Sequence, residues 1–295
     1  MYFANKWKRY FLEQPRPAAV FQIAPSYFAG LKMGLEKRLS ESDFIIQRIP
    51  SGVIEANFLQ SNIKQPEILE QLIDQALHKL KPSGNSVTII LPETSCRVFV
   101  FSLEGSFLTP LELAKFIEWR LNHQLAQPLS DLRYSYQTFN SGRERKVLVV
   151  CSGLEIIKEY ETIFQKKKLQ PGKLTIPSLS TLNLLPEFKE DDFLVVDADL
   201  DYLSLIAVVE GSLYLYRQKQ LLPGRESGSE VIVKEVENTL YFIEDKARKR
   251  IGLLALRSNL EGKESLKDLL QMKTGAKVLE IMPENRAMVP LLGGW

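Results

Sequence analysis

Two stretches of this chain follow one short plan, and a plan used twice restricts the fold more than any other feature of the sequence. The first runs Ala18-Ala19-Val20-Phe21-Gln22-Ile23-Ala24-Pro25-Ser26 and continues into Phe28-Ala29-Gly30-Leu31-Lys32. The second runs Phe193-Leu194-Val195-Val196-Asp197-Ala198-Asp199-Leu200-Asp201 and continues into Leu203-Ser204-Leu205-Ile206-Ala207-Val208-Val209. Each reads as an apolar strand, a tight polar turn and a return strand. In a phosphate-binding hairpin that turn is Asp-x-Gly, because glycine lets backbone N–H groups close on phosphate oxygens. Here the positions read Gln22-Ile23-Ala24 and Asp197-Ala198-Asp199, and neither turn keeps the glycine.

A chain of 295 residues is long enough for one large or two modest cores. At 45% hydrophobic and 25% charged residues it falls in the ordinary globular class. A net charge of +2 gives no general drive towards nucleic acid or acidic membrane. Cys96 and Cys151 both lie in apolar strand-like runs and read as small buried hydrophobes of a reducing compartment. The two histidines, His78 and His123, stand on helical patterns and supply no zinc set. No apolar run approaches the roughly 20 residues of a membrane span, and residues 1–17 lack a signal-peptide core. These readings place the chain in the cytoplasm.

Between the two devices the order of elements repeats. Strands are expected at 18–23, 28–35 and 43–49. Gln65-Pro66 then opens a helix carrying Ile68, Leu69, Leu72, Ile73, Leu77 and Leu80 on one stripe. Strands follow at 86–91 and 97–103. A block of different grammar comes next. Thr109-Pro110-Leu111-Glu112 is a capping box with proline at N1, and Ser152-Gly153-Leu154-Glu155 reads as a second. Between their helices lie strands at 134–139 and 146–151. Lys166-Lys167-Lys168 complements the negative end of the second helix. The later part gives the second device at 193–201 and 203–209, a strand at 213–219, a long helix at 230–250, a strand at 251–256, a helix at 264–272 and a strand at 276–281. Two α/β halves with an insertion in the first predict a duplicated domain with a cleft between the halves.

These patterns resemble the PilM family of type IV pilus assembly proteins, which is actin-like and related to the division protein FtsA. The resemblance is carried by Ile49-Pro50-Ser51-Gly52-Val53-Ile54-Glu55, the helix behind it, Val87-Thr88-Ile89-Ile90-Leu91-Pro92 and Arg97-Val98-Phe99-Val100-Phe101. It implies an α/β, actin-like (ribonuclease H-like) duplicated domain with an inserted αββα subdomain, called 1C in actin-like division proteins. The expected bounds are an aromatic and basic segment at 1–17, a first half (1A) at 18–107, the insertion at 108–177, and a second half at 178–295. The family's nucleotide-covering subdomain would stand between the second hairpin and the long helix. Only residues 223–229 separate them here, which predicts an open cleft.

The departures from the family pattern fall on the nucleotide site. Its remnants would be Gln22, Ala24, Ser26, Lys32, Asp197 and Asp199, with Pro25 lacking a backbone donor. The family's glycine pair should fall near Leu256-Arg257-Ser258-Asn259, where there is none. A carboxylate about 5 Å from a phosphate charge costs roughly 3 kcal/mol at an effective dielectric near 20, on the order of a hundredfold in affinity. Magnesium bridging Asp197, Asp199 and Asp201 would offset this. The plainer reading of the three is a solvated acidic turn. The site therefore predicts no catalytic residues, no resident metal, and little or no binding of ATP and magnesium.

The resemblance implies a non-catalytic adaptor that binds the cytoplasmic peptide of a PilN-like inner-membrane protein, in a groove between 1A and 1C, and links it to a pilus motor ATPase. Phe116, Trp119 and Arg120 are the partner-binding candidates, against the alternative that Trp119 completes a core. Phe3, Trp7, Tyr10 and Phe11, flanked by Lys6, Lys8 and Arg9, would touch an anionic membrane surface from one side of a helix, or pack on the domain. An active actin-like ATPase and an FtsA-like filament protein are the competing readings; residues 288–295 are short for the membrane tail of the latter.

Overall fold

The computed structural model describes residues 16–34, 40–103, 109–142, 144–185, 191–221, 228–260, 263–282 and 286–294. The first hairpin pairs β1 (Ala19–Ile23) with β2 (Tyr27–Lys32), and β3 (Phe44–Arg48) adds outside β2. On its other side β1 pairs in parallel with β4 (Ser86–Ile90), and β8 (Gln170–Thr175) closes the sheet in the order β3-β2-β1-β4-β8. The second sheet repeats this. There β9 (Phe193–Ala198) pairs antiparallel with β10 (Tyr202–Val209), which carries β11 (Ser212–Gln220). On its parallel side come β12 (Leu253–Ser258) and β13 (Lys277–Glu280), giving β11-β10-β9-β12-β13. Parallel neighbours need a crossover helix. These are α1 (Pro66–Leu80) and α3 (Leu154–Lys166) in the first half, α5 (Gly228–Ala247) and α6 (Lys263–Thr274) in the second.

The stripe predicted for α1 is the face it buries, through Leu69, Leu72, Ile73, Ala76 and Leu80. It packs with Phe21, Phe28 and Ile89 of the first sheet, and with Tyr160, Ile163 and Phe164 of α3. Lys166 and Lys167 reach back to α1, to Glu70 at 2.8 Å and Asp74 at 2.7 Å, so they join two helices as well as sitting at a helix end.

Between β4 and β8 stands a three-stranded antiparallel sheet of β5 (Arg97–Leu103), β6 (Leu132–Ser141) and β7 (Glu144–Gly153), in the order β5-β7-β6. The helix α2 (Pro110–Gln124) covers one face with Leu113, Ile117 and Leu121. Sheet pairing draws this block differently from 108–177. It takes β5 from before residue 108, because Arg97–Leu103 bonds to β7. It gives α3 and β8 back to the first half, whose core they complete. The Thr109 capping box forms, with the Glu112 amide donating to Thr109 Oγ1 at 3.3 Å and the Thr109 amide donating to Glu112 Oε2 at 2.7 Å. The second expected box does not. The N-cap of α3 is Gly153, and Ser152 instead donates its hydroxyl to the Ser95 carbonyl at 2.7 Å. Cys96 and Cys151 are buried and unpaired with each other; because Arg97 is the residue opposite Cys151, Cys96 points to the other face of the sheet.

The chain end ties the halves together. A short helix α7 (Val289–Gly293) packs on α4 (Pro177–Leu182) and on the first sheet, where Met288 and Leu291 meet Val20, Leu31 and Ile90. Val289 joins the core of the second sheet with Val195 and Ile206.

Candidate functional site: an ion-pair cluster between two hairpin turns

The two predicted turns face one another, and they close alike. The Ala24 amide donates to the Tyr27 carbonyl at 2.9 Å, and the Asp199 amide donates to the Tyr202 carbonyl at 3.0 Å. The N–H groups that a phosphate would need at these two positions are thus taken by the turns themselves.

The space between the turns is filled with side chains. Arg257, on β12 opposite Asp197 of β9, is fully buried and extends its guanidinium across both acidic positions. It pairs with Asp197 Oδ1 at 3.0 Å and Asp199 Oδ2 at 3.0 Å. The Tyr202 hydroxyl accepts from Arg257 at 2.9 Å and donates to Asp197 at 2.9 Å. From the other half, Tyr27 donates its hydroxyl to Asp199 Oδ2 at 3.0 Å and accepts from Gln22 Nε2 at 2.8 Å. Asn259 Nδ2 adds a further donor to Asp199 at 2.9 Å. Burial opposes the charge of Arg257, but Tyr202, Asp197, Asp199 and Tyr27 outweigh it and raise its pKa well above the ordinary value. Burial and then the Asp199 charge push the Tyr27 phenol well up, which keeps it a donor.

A second buried carboxylate lies beside this cluster. Glu93 follows the end of β4 and is fully buried. Its Oε1 accepts from Ser178 Oγ at 2.6 Å, from Ser204 Oγ at 2.8 Å and from the Tyr216 hydroxyl. Ser204 and Tyr216 belong to β10 and β11, so a first-half carboxylate is seated in the second-half sheet. Burial and the Asp197 charge raise the Glu93 pKa, against the bonds from Ser178 and Tyr216.

Two expectations are corrected here. The acidic turn is not solvated: Asp197 is fully buried and Asp199 is 2% exposed, each against Arg257. Asp201 alone keeps part of its surface, with its carboxyl pushed up to about 7 by burial and the Asp199 charge. Nor is the cleft open at the turns, because Tyr27, Arg257 and Asn259 close it. Of the remnants, Gln22 and Ala24 lie within the turn region. Ser26 uses its carbonyl to accept from the Ile49 amide at 2.9 Å. Lys32 sits opposite Ala19 at the far end of β2, five residues and so about 17 Å along the strand from Tyr27. It takes no part in the site. Arg257 engages one oxygen of each aligned carboxylate, and the Ala24 and Asp199 amides are spent within the turns, while Asp197 Oδ2 is buried without a hydrogen-bond partner.

No protein-family model matches the sequence, and no curated protein matches it. Solved structures do. A PilM–PilN type IV pilus biogenesis complex superposes with a TM-score of 0.76 over 95% of this chain and 98% of that one, at 14% identity. A Bacteroides thetaiotaomicron protein with an actin-like ATPase fold gives 0.52 over 93% and 96%, at 13% identity. The cytoplasmic domain of EpsL, an inner membrane component of the type II secretion system of Vibrio cholerae, gives 0.51 over 86% and 93%, at 12% identity.

The chain has the actin-like fold. The resemblance to PilM drawn from the sequence holds at that level, and the Arg257 cluster occupies the place between the two hairpins of an actin-like domain.

Sequence reasoning on this actin-like chain missed Arg257 as a ligand of its own turn, and it missed Tyr27 and Glu93. The available signal was a lone arginine directly at the end of the apolar run Leu253-Leu254-Ala255-Leu256, within the strand, where burial demands a counter-charge. The other candidate cluster lies on α2 of the inserted sheet. Arg120 stacks over the Phe101 ring at 4.7 Å, Phe116 meets Phe101 edge-on at 6.5 Å, and Trp119 packs 4.6 Å from the His123 ring. Trp119 is 51% exposed and does not complete a core. Phe3, Trp7, Tyr10 and Phe11 lie outside the described residues. No described helix is long and apolar enough to cross a membrane.

Proposed function

We propose that this chain is a non-catalytic actin-like adaptor of a type IV pilus or related secretion assembly, working at the cytoplasmic face of an inner membrane. The observation that carries the reading is Arg257, which supplies from within the chain the positive charge that Asp197 and Asp199 would otherwise direct to magnesium. Its fold is shared with chains from a pilus biogenesis complex and a secretion system, and this supports the choice of assembly. In this reading the partner is the cytoplasmic peptide of a PilN-like membrane protein, docked against the inserted sheet, with Phe116, Trp119 and Arg120 as its anchors. A motor ATPase on the cytoplasmic side, and membrane contact through Phe3, Trp7, Tyr10 and Phe11, complete the proposed setting.

Calorimetry tests it in two arms. Magnesium ATP at millimolar concentration is expected to give no binding heat, and micromolar affinity overturns the non-catalytic reading. The cytoplasmic peptide of the PilN-like protein is expected to bind, and Trp119→Ala with Arg120→Ala to weaken it about tenfold or more. Unchanged binding by that variant removes the α2 anchors from the reading.

A further inference from the structure

The edges of the three sheets are not equally protected. A strand edge with free N–H and C=O groups invites another strand, and proteins guard such edges with short length, lysine, proline, bulges or cover. Among the described residues β3 is 5 residues long and β13 is 4 with Lys277 at its start. β8 carries Pro171, Lys173 and a register shift. β5 and β11 lie against each other, with Arg97 donating to Gln218 at 3.2 Å. β6 has none of these guards between Tyr134 and Thr138, although its ends are covered, Arg133 by Glu161 of α3 and Asn140 by Ser212 of β11. It runs 10 residues, Leu-Arg-Tyr-Ser-Tyr-Gln-Thr-Phe-Asn-Ser, in unbroken register with β7, with Arg133 as its one charge.

The hairpin fixes which groups of β6 face out. Ser141 opposite Glu144 closes a two-residue turn, so odd residues from 141 backwards bond to β7 and even residues point away. Asn140 agrees, since its carbonyl accepts from Ser212 outside the sheet at 3.1 Å. Tyr134, Tyr136 and Thr138 therefore offer their main-chain groups outward. Tyr136 stands mid-strand with its side chain 42% exposed.

We propose that a second copy of this chain pairs here, β6 against β6 antiparallel about a two-fold axis at Tyr136, making one six-stranded sheet from two inserted blocks. The strand is self-complementary in that register, as a two-fold interface requires. Tyr136 meets its own copy, Tyr134 meets Thr138, Ser135 meets Gln137, and Arg133 faces Phe139 instead of another arginine. Aromatic and hydroxyl cross-strand pairs of this kind are favourable, and no like charges oppose.

Sedimentation equilibrium of the full chain at about 100 μM is expected to give twice the 33.7 kDa chain mass. Tyr136→Lys, which places two ammonium groups at the axis, is expected to give a monomer with its thermal transition unchanged. Tyr136→Cys is expected to form a disulfide-linked dimer on mild oxidation, without interference from the buried Cys96 and Cys151. A monomeric wild-type chain at this concentration, a Tyr136→Lys chain that stays dimeric, or no crosslink through Cys at 136 overturns the proposal. The first of these outcomes would leave the edge to an extended segment of another protein.

Discussion

Arg257 is buried with two carboxylates, and the energetics of such a group are lopsided. Bringing three charges out of water is expensive, and their mutual attraction roughly offsets that cost. Removing one member is different, because it strands the others. Arg257→Met is expected to destabilise the chain by roughly 3–5 kcal/mol, read from the urea midpoint at constant slope. Adding Asp197→Asn and Asp199→Asn to it should recover much of the loss, since the amides carry no charge to strand. If the triple variant is as unstable as the single one, packing and not charge holds the cluster. Asp201 makes a second prediction. Its folded-state pKa of about 7 lies above the unfolded value of about 3.9, so protonation favours the folded chain. That contribution is fully present below about pH 4 and is lost as the pH rises through about 7. Glu93, raised by burial and by Asp197, acts in the same direction. Stability should therefore fall between about pH 4 and pH 7, and Asp201→Asn should flatten the profile; an unaltered profile removes Asp201 as its source.

Elements that follow local rules were legible in the sequence. The stripe of α1, the capping box of Thr109 and Glu112, and both strand–turn–strand devices stand where their patterns put them. Thr109→Ala should cost about 1 kcal/mol of stability in denaturant melts. What failed to show depends on contacts far apart in the chain. Ser152 looked like a cap, but the carbonyl of Ser95 takes its hydroxyl. The Asp197-Ala198-Asp199 turn looked solvated because its counter-ion lies 58 residues beyond Asp199, on a strand whose place beside the turn only the folded sheet reveals. The outline of the inserted block was blurred for the same reason, since the alternation in 97–103 shows a strand but not which sheet it joins. Helix α7 carries one further constraint. A Cβ on Gly293 would overlap the Ser180 carbonyl of α4. Gly293→Ala should force the two helices apart and cost roughly 1–3 kcal/mol in the same melts.

Across the whole molecule, the two actin-like halves meet through polar groups that neither half satisfies alone. Glu93 depends on Ser204 and Tyr216, Asp199 takes a bond from Tyr27, and α7 contributes to both cores. Denaturant unfolding should accordingly be a single transition by fluorescence and circular dichroism. Tyr27→Phe combined with Glu93→Gln should broaden or split it. Two separate transitions in the wild-type chain would mean that the contacts between the halves carry little energy. The cluster at the turns also bears on how such a protein responds to its surroundings. A diffusible ligand fills a cleft according to its concentration, whereas a guanidinium joined to the chain by covalent bonds is present once per molecule at every moment. In the proposed adaptor reading, a cleft held shut this way would keep one shape whether the cell is starved or growing, and binding by another protein would be the means of changing it.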